Sequence, residues 1–490
     1  MKKLFVLLGI LCTFYFVSCG NIQLAGGDMG VVSLAIGDEL AREIRSAASL
    51  RNVAAGTYTL TASIRGGYSD SQTVAVADDT YSGVTFTFEG VPVGETIVLD
   101  LTAKANGNYI WYGNSGKHTV ERGENLLTIA LGRVSGVLMW DSSSVKIAPY
   151  GNYDFDNASG TQNPTQDQPP VWCFDAQGNL YVIDNSKSTL RYDLQSNGKY
   201  PTINNGSYPT QNYNLMALSC NNATVYGMSD SAIVDLTKTQ TIDDSTVISF
   251  GGSDVNPPIA FAVHENSAYI VEFSQEEEDV GEIMSKVSKI FVKKYDMNNP
   301  DSSPLKKEIE LPKNFVSDTF LAPTGQMIYH EGALYLLLSA FDITSDSTAS
   351  AHHSCGAIVK INPQTLAVDT SFGNGGFLGL ADGRYVSGKH NGQDYNQTLY
   401  APTESNVGRT FCGPAGFVAV MPKKLVIGDG GYTLSNSGTG LLAKRKSRII
   451  TVDLETLAFE TTDLENTDFY GNIEIKTESA GSDFITPISD

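Results

Sequence analysis

The sequence predicts an all-β chain, a small N-terminal β-sandwich followed by a C-terminal β-propeller of about six blades. Three observations carry that expectation. Short segments of apolar–polar alternation recur from Tyr58 onward, as half-buried strands require. A strand unit ending in Asp or Asn repeats along the second part of the chain. The composition is rich in turn formers and aromatics, with 47 glycines, 23 tyrosines and 21 phenylalanines among 490 residues and only 18% charged, a balance that suits a β-rich extracellular protein.

Residues 1–18 read as an export signal. Lys2 and Lys3 give a basic start, Leu4 to Val17 form an apolar run too short to span a bilayer, and Ser18-Cys19-Gly20 follows at the cleavage distance. The stretch resembles a bacterial lipoprotein signal, with Phe16 where most such signals carry Leu. That resemblance implies that Cys19 is diacylated and becomes the mature N-terminus. Two or three acyl chains anchor a protein stably where one binds only marginally. The expected location is therefore extracytoplasmic, at the outer membrane or cell surface, with the lipid in the membrane and residues 19–52 as a tether.

Charge narrows the partners. The chain carries a formal net charge of −21, and loss of residues 1–18 removes Lys2 and Lys3 but no acid. Nucleic acid and anionic headgroups repel such a chain, so no nucleic-acid partner is expected. Of six cysteines, Cys12 leaves with the signal and Cys19 is the lipid site. Cys173, Cys220, Cys355 and Cys412 remain, an even number in an oxidising compartment. They allow three pairings, with buried free thiols as the alternative. Cys173 and Cys220 occupy similar places in successive strand units.

Residues 53–133 form the first expected domain. Tyr58, Leu60, Ala62 and Ile64 share one strand face, as do Val84, Phe86 and Phe88. Ile97, Leu99, Leu101 and Ala103 follow, and Leu127, Ile129 and Leu131 close the set. Period-two segments separated by Gly, Asn and Asp predict an antiparallel sandwich. The stretches FTFEGVPVGETIVLDLTA and NYIWYGNSGKHTVERGENLLTIAL resemble immunoglobulin-like or transthyretin-like modules of surface lipoproteins, which implies a stalk or spacer. Trp111 and His118 read as packing or surface residues.

Residues 134–490 form the second. The clearest strand unit is WCFDAQGNLYVIDNSKSTLRYDL, Trp172 to Leu194. Degenerate copies end at Asp235, Asp296, Asn362 and Asp453. The first interval, Asp193 to Asp235, is the length of one blade; the later ones are blades with insertions. The copies resemble extracytoplasmic NHL-like propellers in strand pattern. LAVDTSFGNGG, Leu366 to Gly376, resembles the delta-60 propeller repeat through Asp369, Ser371, Phe372, Gly373, Gly375 and Gly376, and implies no activity.

Three copies expand the hairpin between second and third strands: SQEEEDVGEIMSKVS, ITSDSTASAHHSCG and YTLSNSGTGLLAKRKS. In a propeller these hairpins leave from the face that usually binds, so they are the expected contact surface. One carries Glu276, Glu277, Glu278 and Asp279, another Lys444, Arg445, Lys446 and Arg448. Opposite charges on one face suit loop–loop docking or a polar partner. His352, His353 and Cys355 are zinc-ligand types without a CxxC, and Asn152, Asp154 and Asp156 alternate without the Gly and Glu of an EF-hand. No GxSxG elbow occurs, and no motif pairs His264, His330, His352, His353 or His390 with Ser or Cys. The expected function is thus a lipid-anchored binding module for a protein or glycan partner, with no cofactor. The alternative is a metal-dependent propeller hydrolase or lactonase, which requires a tightly bound divalent ion.

Overall fold

The computed structural model describes residues 28–36, 58–76, 84–140, 145–153, 159–161, 171–183, 188–195, 199–201, 206–209, 215–221, 224–238, 246–250, 258–280, 283–311, 319–342, 354–380, 384–390, 393–399, 407–411, 413–434, 442–464 and 486–487. It is all-β there, apart from one short 3-10 turn at Val407–Arg409. Cys19, Cys412, His352 and His353 lie outside the described residues, as do Asp154 and Asp156.

The first eight strands are β1 (Met29–Ala35), β2 (Tyr58–Gly66), β3 (Asp70–Val76), β4 (Thr85–Pro92), β5 (Thr96–Ala105), β6 (Asn108–Thr119), β7 (Gly123–Leu127) and β8 (Gly132–Arg133). They make a five-stranded sheet, β3-β2-β5-β6-β8, and a three-stranded sheet, β4-β1-β7. Val32 and Leu34 of β1, Phe86 and Phe88 of β4, Leu60 and Ala62 of β2, and Leu99 and Leu101 of β5 bury together in one apolar cluster between them. Alternation fixes this: the inward residues of each strand are the apolar ones. β1 is an addition to the sequence reading, since it falls within the stretch expected as tether. Its run MGVVSLA buries the four residues Val32 to Leu34 and Gly30 with little polar alternation to mark it. It is antiparallel to β4 and parallel to β7. His118 bonds Asn125 through Nε2 at 3.0 Å, and Trp111 is buried in the cluster.

Six sheets follow. The first holds β9–β11 (Val137–Trp140, Val145–Ala148, Ser159–Thr161) and the second β12–β15 (Trp172–Phe174, Leu180–Ile183, Ser188–Tyr192, Gly206–Pro209). The third holds β16–β19 (Ala217–Asn221, Thr224–Met228, Ala232–Asp235, Thr246–Ser249) and the fourth β20–β23 (Pro258–His264, Ser267–Val280, Ile283–Asp296, Leu305–Ile309). The fifth holds β24–β27 (Thr319–His330, Ala333–Asp342, Ser354–Ile361, Phe377–Leu378). A ribbon of β28 (Arg384–His390) and β29 (Gln393–Leu399) then precedes the sixth, β30–β33 (Pro414–Met421, Lys424–Leu434, Leu442–Asp453, Phe459–Asp463). Strand β34 (Thr486–Pro487) pairs with β28.

The four-stranded sheets are antiparallel meanders in chain order. Neighbouring sheets share apolar clusters. Leu138 and Ile147 of the first meet Leu180 and Val182 of the second; Tyr181 meets Leu218 and Val225; Met228 meets Phe261 and Ile270. Val271 and Ile290 meet Leu321 and Leu336, and Leu337 and Ile358 meet Phe417 and Ile427. Val418 and Ile449 of the sixth then return to Val137 and Met139 of the first. A second strand packed on both faces reads as a continuous apolar run rather than an alternating one. The run Leu334 to Leu338, all but fully buried, is such a strand.

Candidate functional site

The turns at one end of the sheets set the geometry of the other. In the fourth, fifth and sixth sheets two-residue turns join the first and second strands, each with one left-handed residue: Glu265 at φ 50° and Glu331 at φ 46° in the first position, and Lys423 at φ 58° in the second, after Pro422. That twist matches the strands it joins. These turns touch from sheet to sheet. Asn221 donates to the Glu265 carbonyl at 2.8 Å, His264 stacks on Tyr329 at 3.5 Å and 8°, and Lys423 pairs with Glu331 at 2.9 Å. The first strands of the third to sixth sheets therefore point the same way. It follows that the hairpins between second and third strands all leave at the opposite end.

At that opposite end the hairpins outgrow their sheets. β20 pairs with β21 no further than Pro258 with Glu272, and β23 with β22 no further than Ile309 with Ile290. Beyond these, Ser274–Val280 and Ile283–Lys289 pair with each other. Sequence reasoning expects a loop at Glu276, Glu277, Glu278 and Asp279; the backbone there is strand. The segment IMSKVSKIFV supplies a β-favouring partner, and the register sets Glu277 opposite Lys286. β31 and β32 behave alike: beyond the Asp429–Arg448 pair, Gly431 to Leu434 pair with Arg445 to Leu442. Lys444 stands opposite Tyr432 and Arg445 opposite Gly431. Lys446 sits in a bulge, where the register shifts between Asp429 and Gly431. Cys355 stands opposite Ala340 in the third long hairpin, β25–β26. The β28–β29 ribbon lies in the link from a fourth strand to the next first strand, at the same end.

Three buried carboxylates, Glu272, Asp429 and Asp175, are satisfied within their own sheets. Glu272 accepts from Lys293 and lies 3.8 Å from Lys306. Asp429 pairs with Arg448 at 2.7 Å. Asp175 accepts from the backbone of Gln177 and Asn179 and from Tyr181, while burial pushes its carboxyl above the usual range. Between first strands, Trp172 Nε1 donates to the Phe417 carbonyl at 3.0 Å, and Gln326 Oε1 accepts from Phe417 N at 2.6 Å. A side chain at Gly416 would collide with both Gln326 and Trp172. Among the described residues no three His, Cys, Asp or Glu side chains gather as metal ligands.

Two of the sequence-predicted cysteines meet. Cys173 Sγ and Cys220 Sγ are 2.9 Å apart, on the first strands of the second and third sheets. Sequence reasoning missed the closing turns after the third strands. There Asn362-Pro-Gln-Thr-Leu-Ala and Asp453-Leu-Glu-Thr-Leu-Ala share a pattern visible in the chain.

A family model, the TdpA C-terminal domain, matches residues 395–477. That span runs from within β29 through the whole of the sixth sheet. No curated protein matches the chain.

Proposed function

We propose that the protein is a lipid-anchored binding module of the cell envelope. Cys19 carries the lipid, the two N-terminal sheets form an immunoglobulin-like sandwich acting as a stalk, and the six later sheets are the blades of an NHL-like propeller. Supporting the propeller is the cyclic order of shared clusters, in which the sixth sheet packs back on the first. The observation that carries the function is the common end of the long ribbons. Their strands pair only with each other beyond the sheets, and the opposite end is tied off by turn-to-turn contacts. A rigid body with arms on one side suits recognition of a protein or glycan. Acidic positions 276–279 on one arm and basic positions 444–446 on another give that side both signs, which favours a polar partner and fixes its orientation. The bonds of Trp172 and Gln326 to Phe417 link the first strands of the second, fifth and sixth sheets.

Two measurements test this reading. Labelled palmitate should enter the wild-type chain and not Cys19→Ala; equal labelling of both overturns the anchor. For the arms, envelope extracts are cross-linked to the full chain and to a variant with residues 274–289 and 431–445 each cut back to a tight turn. The partner recovered by the wild type should be lost with the shortened arms. Undiminished recovery places the contact surface elsewhere.

A further inference from the structure

We propose that Cys173 and Cys220 form a disulfide that staples the second sheet of the series to the third. Both residues lie on first strands, β12 and β16, which run side by side. Their sulfurs stand 2.9 Å apart, roughly 0.9 Å outside an S–S bond length of about 2.05 Å. The thiols rest against the cluster of Tyr181, Ile183, Leu218 and Val225 that joins the two sheets. A covalent link there would close a loop containing the entire second sheet.

Of the other two candidate partners, the structure places Cys355 elsewhere. Cys355 is in β26 of the fifth sheet, opposite Ala340. Cys412 lies outside the described residues; its chain neighbour Phe411 bridges Gly356, the residue after Cys355. Of the three pairings four cysteines allow, the one that joins Cys173 to Cys220 leaves these two to each other.

The chemistry is a thiol–disulfide exchange. The Cys173 thiolate attacks a disulfide of an external oxidant, such as glutathione disulfide or an envelope disulfide oxidoreductase, and displaces one of its sulfurs as thiolate. Cys220 then attacks Cys173 in the mixed disulfide and displaces the second sulfur. Two S–H bonds are lost and one protein S–S bond forms. The two protons pass to the departing thiolates or to solvent, and the oxidant is reduced by two electrons to thiols. Burial pushes the Cys220 thiol up, and the Cys173 thiol and Asp175 push it the same way. The same balance holds whichever of the two cysteines attacks first.

The full chain, purified reduced, is incubated with oxidised glutathione, alkylated, digested without reductant and mapped by mass spectrometry. The expected product is a peptide pair joined through Cys173 and Cys220, two hydrogens lighter than its reduced parts and separated by reductant. A link from either residue to Cys355 or Cys412 overturns the proposal, as does alkylation of both thiols after oxidation. In parallel, reductant should lower the thermal midpoint of the oxidised wild type by several degrees. It should do so much less for Cys173→Ser and Cys220→Ser. An equal response in all three chains means this pair is not the staple.

Discussion

Asp429 shows what a buried charge demands of its neighbours. Its side chain is 0% exposed and that of Arg448 4%. Oδ2 accepts from Arg448 Nε at 2.7 Å and Oδ1 from Gly413 N at 2.9 Å, while Arg448 Nη2 donates to the Thr410 carbonyl at 2.6 Å. Water cannot replace a lost partner in such a site, so breaking the pair from one side costs about 3–5 kcal/mol. Asp429→Ala should lower the urea midpoint sharply, and adding Arg448→Met should recover part of the loss. A drop no larger than that of Asp28→Ala, whose pair with Arg122 is on the surface, would contradict this account. His330 gives the acid response. Its buried Nε2 has no hydrogen-bond partner. Burial lowers its pKa below 6.5 and Lys423 adds to that, against an opposing pull from Glu331. The unfolded chain therefore takes up a proton near pH 6.5 that the folded chain refuses. Stability must fall as pH drops from there towards the depressed folded value. Glu331, held below 4.5 by its bond to Lys423 despite the cost of burial, adds loss in the same direction at lower pH. The thermal midpoint of the wild type should fall between about pH 7 and pH 5 more steeply than that of His330→Gln. Parallel profiles would show that His330 is not the group titrating.

Among the elements, the turn that closes each third strand explains the repeat. Asn362 Oδ1 accepts from Gln364 N at 2.8 Å and Thr365 N at 3.0 Å; Asp453 Oδ1 accepts from Glu455 N at 3.0 Å and Thr456 N at 2.8 Å. Asp235 and Asp296 bond the second residue after them in the same manner. In the two fuller copies Leu366 and Leu457 take left-handed φ of 56° and 59° and donate back to the Asn362 and Asp453 carbonyls, each at 2.8 Å. Asn362→Ala should cost about 1 kcal/mol in chemical denaturation and Asn362→Asp far less. Equal losses would mean that the side-chain oxygen does not hold the turn. These Asp and Asn positions were legible in the sequence because a turn that needs a short acceptor side chain constrains residue type. Cys173 and Cys220 hold matching places in consecutive units, but the sequence leaves all three pairings of the four cysteines open. Strand β1 was not legible, because one short apolar run between polar flanks carries no period. Nor was the strand character of 276–279: a two-stranded ribbon needs no buried face, so its charges obey no apolar alternation. The left-handed leucines were hidden too, since nothing in residue type announces a positive φ at a β-structure turn.

At the scale of the whole molecule, the N-terminal unit and the sixth sheet are built into each other. Arg65 of β2 donates through Nε to Asp100 Oδ2 at 2.5 Å and through Nη2 to Asp453 Oδ2 at 2.7 Å. Asp453 thus ends a strand of the sixth sheet, closes its turn and receives the N-terminal unit. Tyr112 of β6, hydrogen-bonded to Asp100 Oδ1, leaves its own sheet's cluster and buries with Val137, Met139, Val418 and Met421. Lys424 lies 4.9 Å over its ring. Ser135 completes the seam, donating its backbone N–H to the Val420 carbonyl at 2.9 Å and accepting from Val420 N through Oγ at 2.8 Å. A stalk joined by a free linker would melt independently of what it carries. One that shares a buried aromatic, a two-carboxylate arginine and a backbone exchange should melt with it. Calorimetry of the full chain should therefore show the N-terminal unit unfolding within the main transition. Truncating a buried aromatic removes about 3–5 kcal/mol of packing. Here much of that loss falls on the seam, so Tyr112→Ala combined with Arg65→Met should release a separate, lower transition. If the wild type already melts in two independent steps, or the double variant still melts in one, then the seam does not couple the two parts.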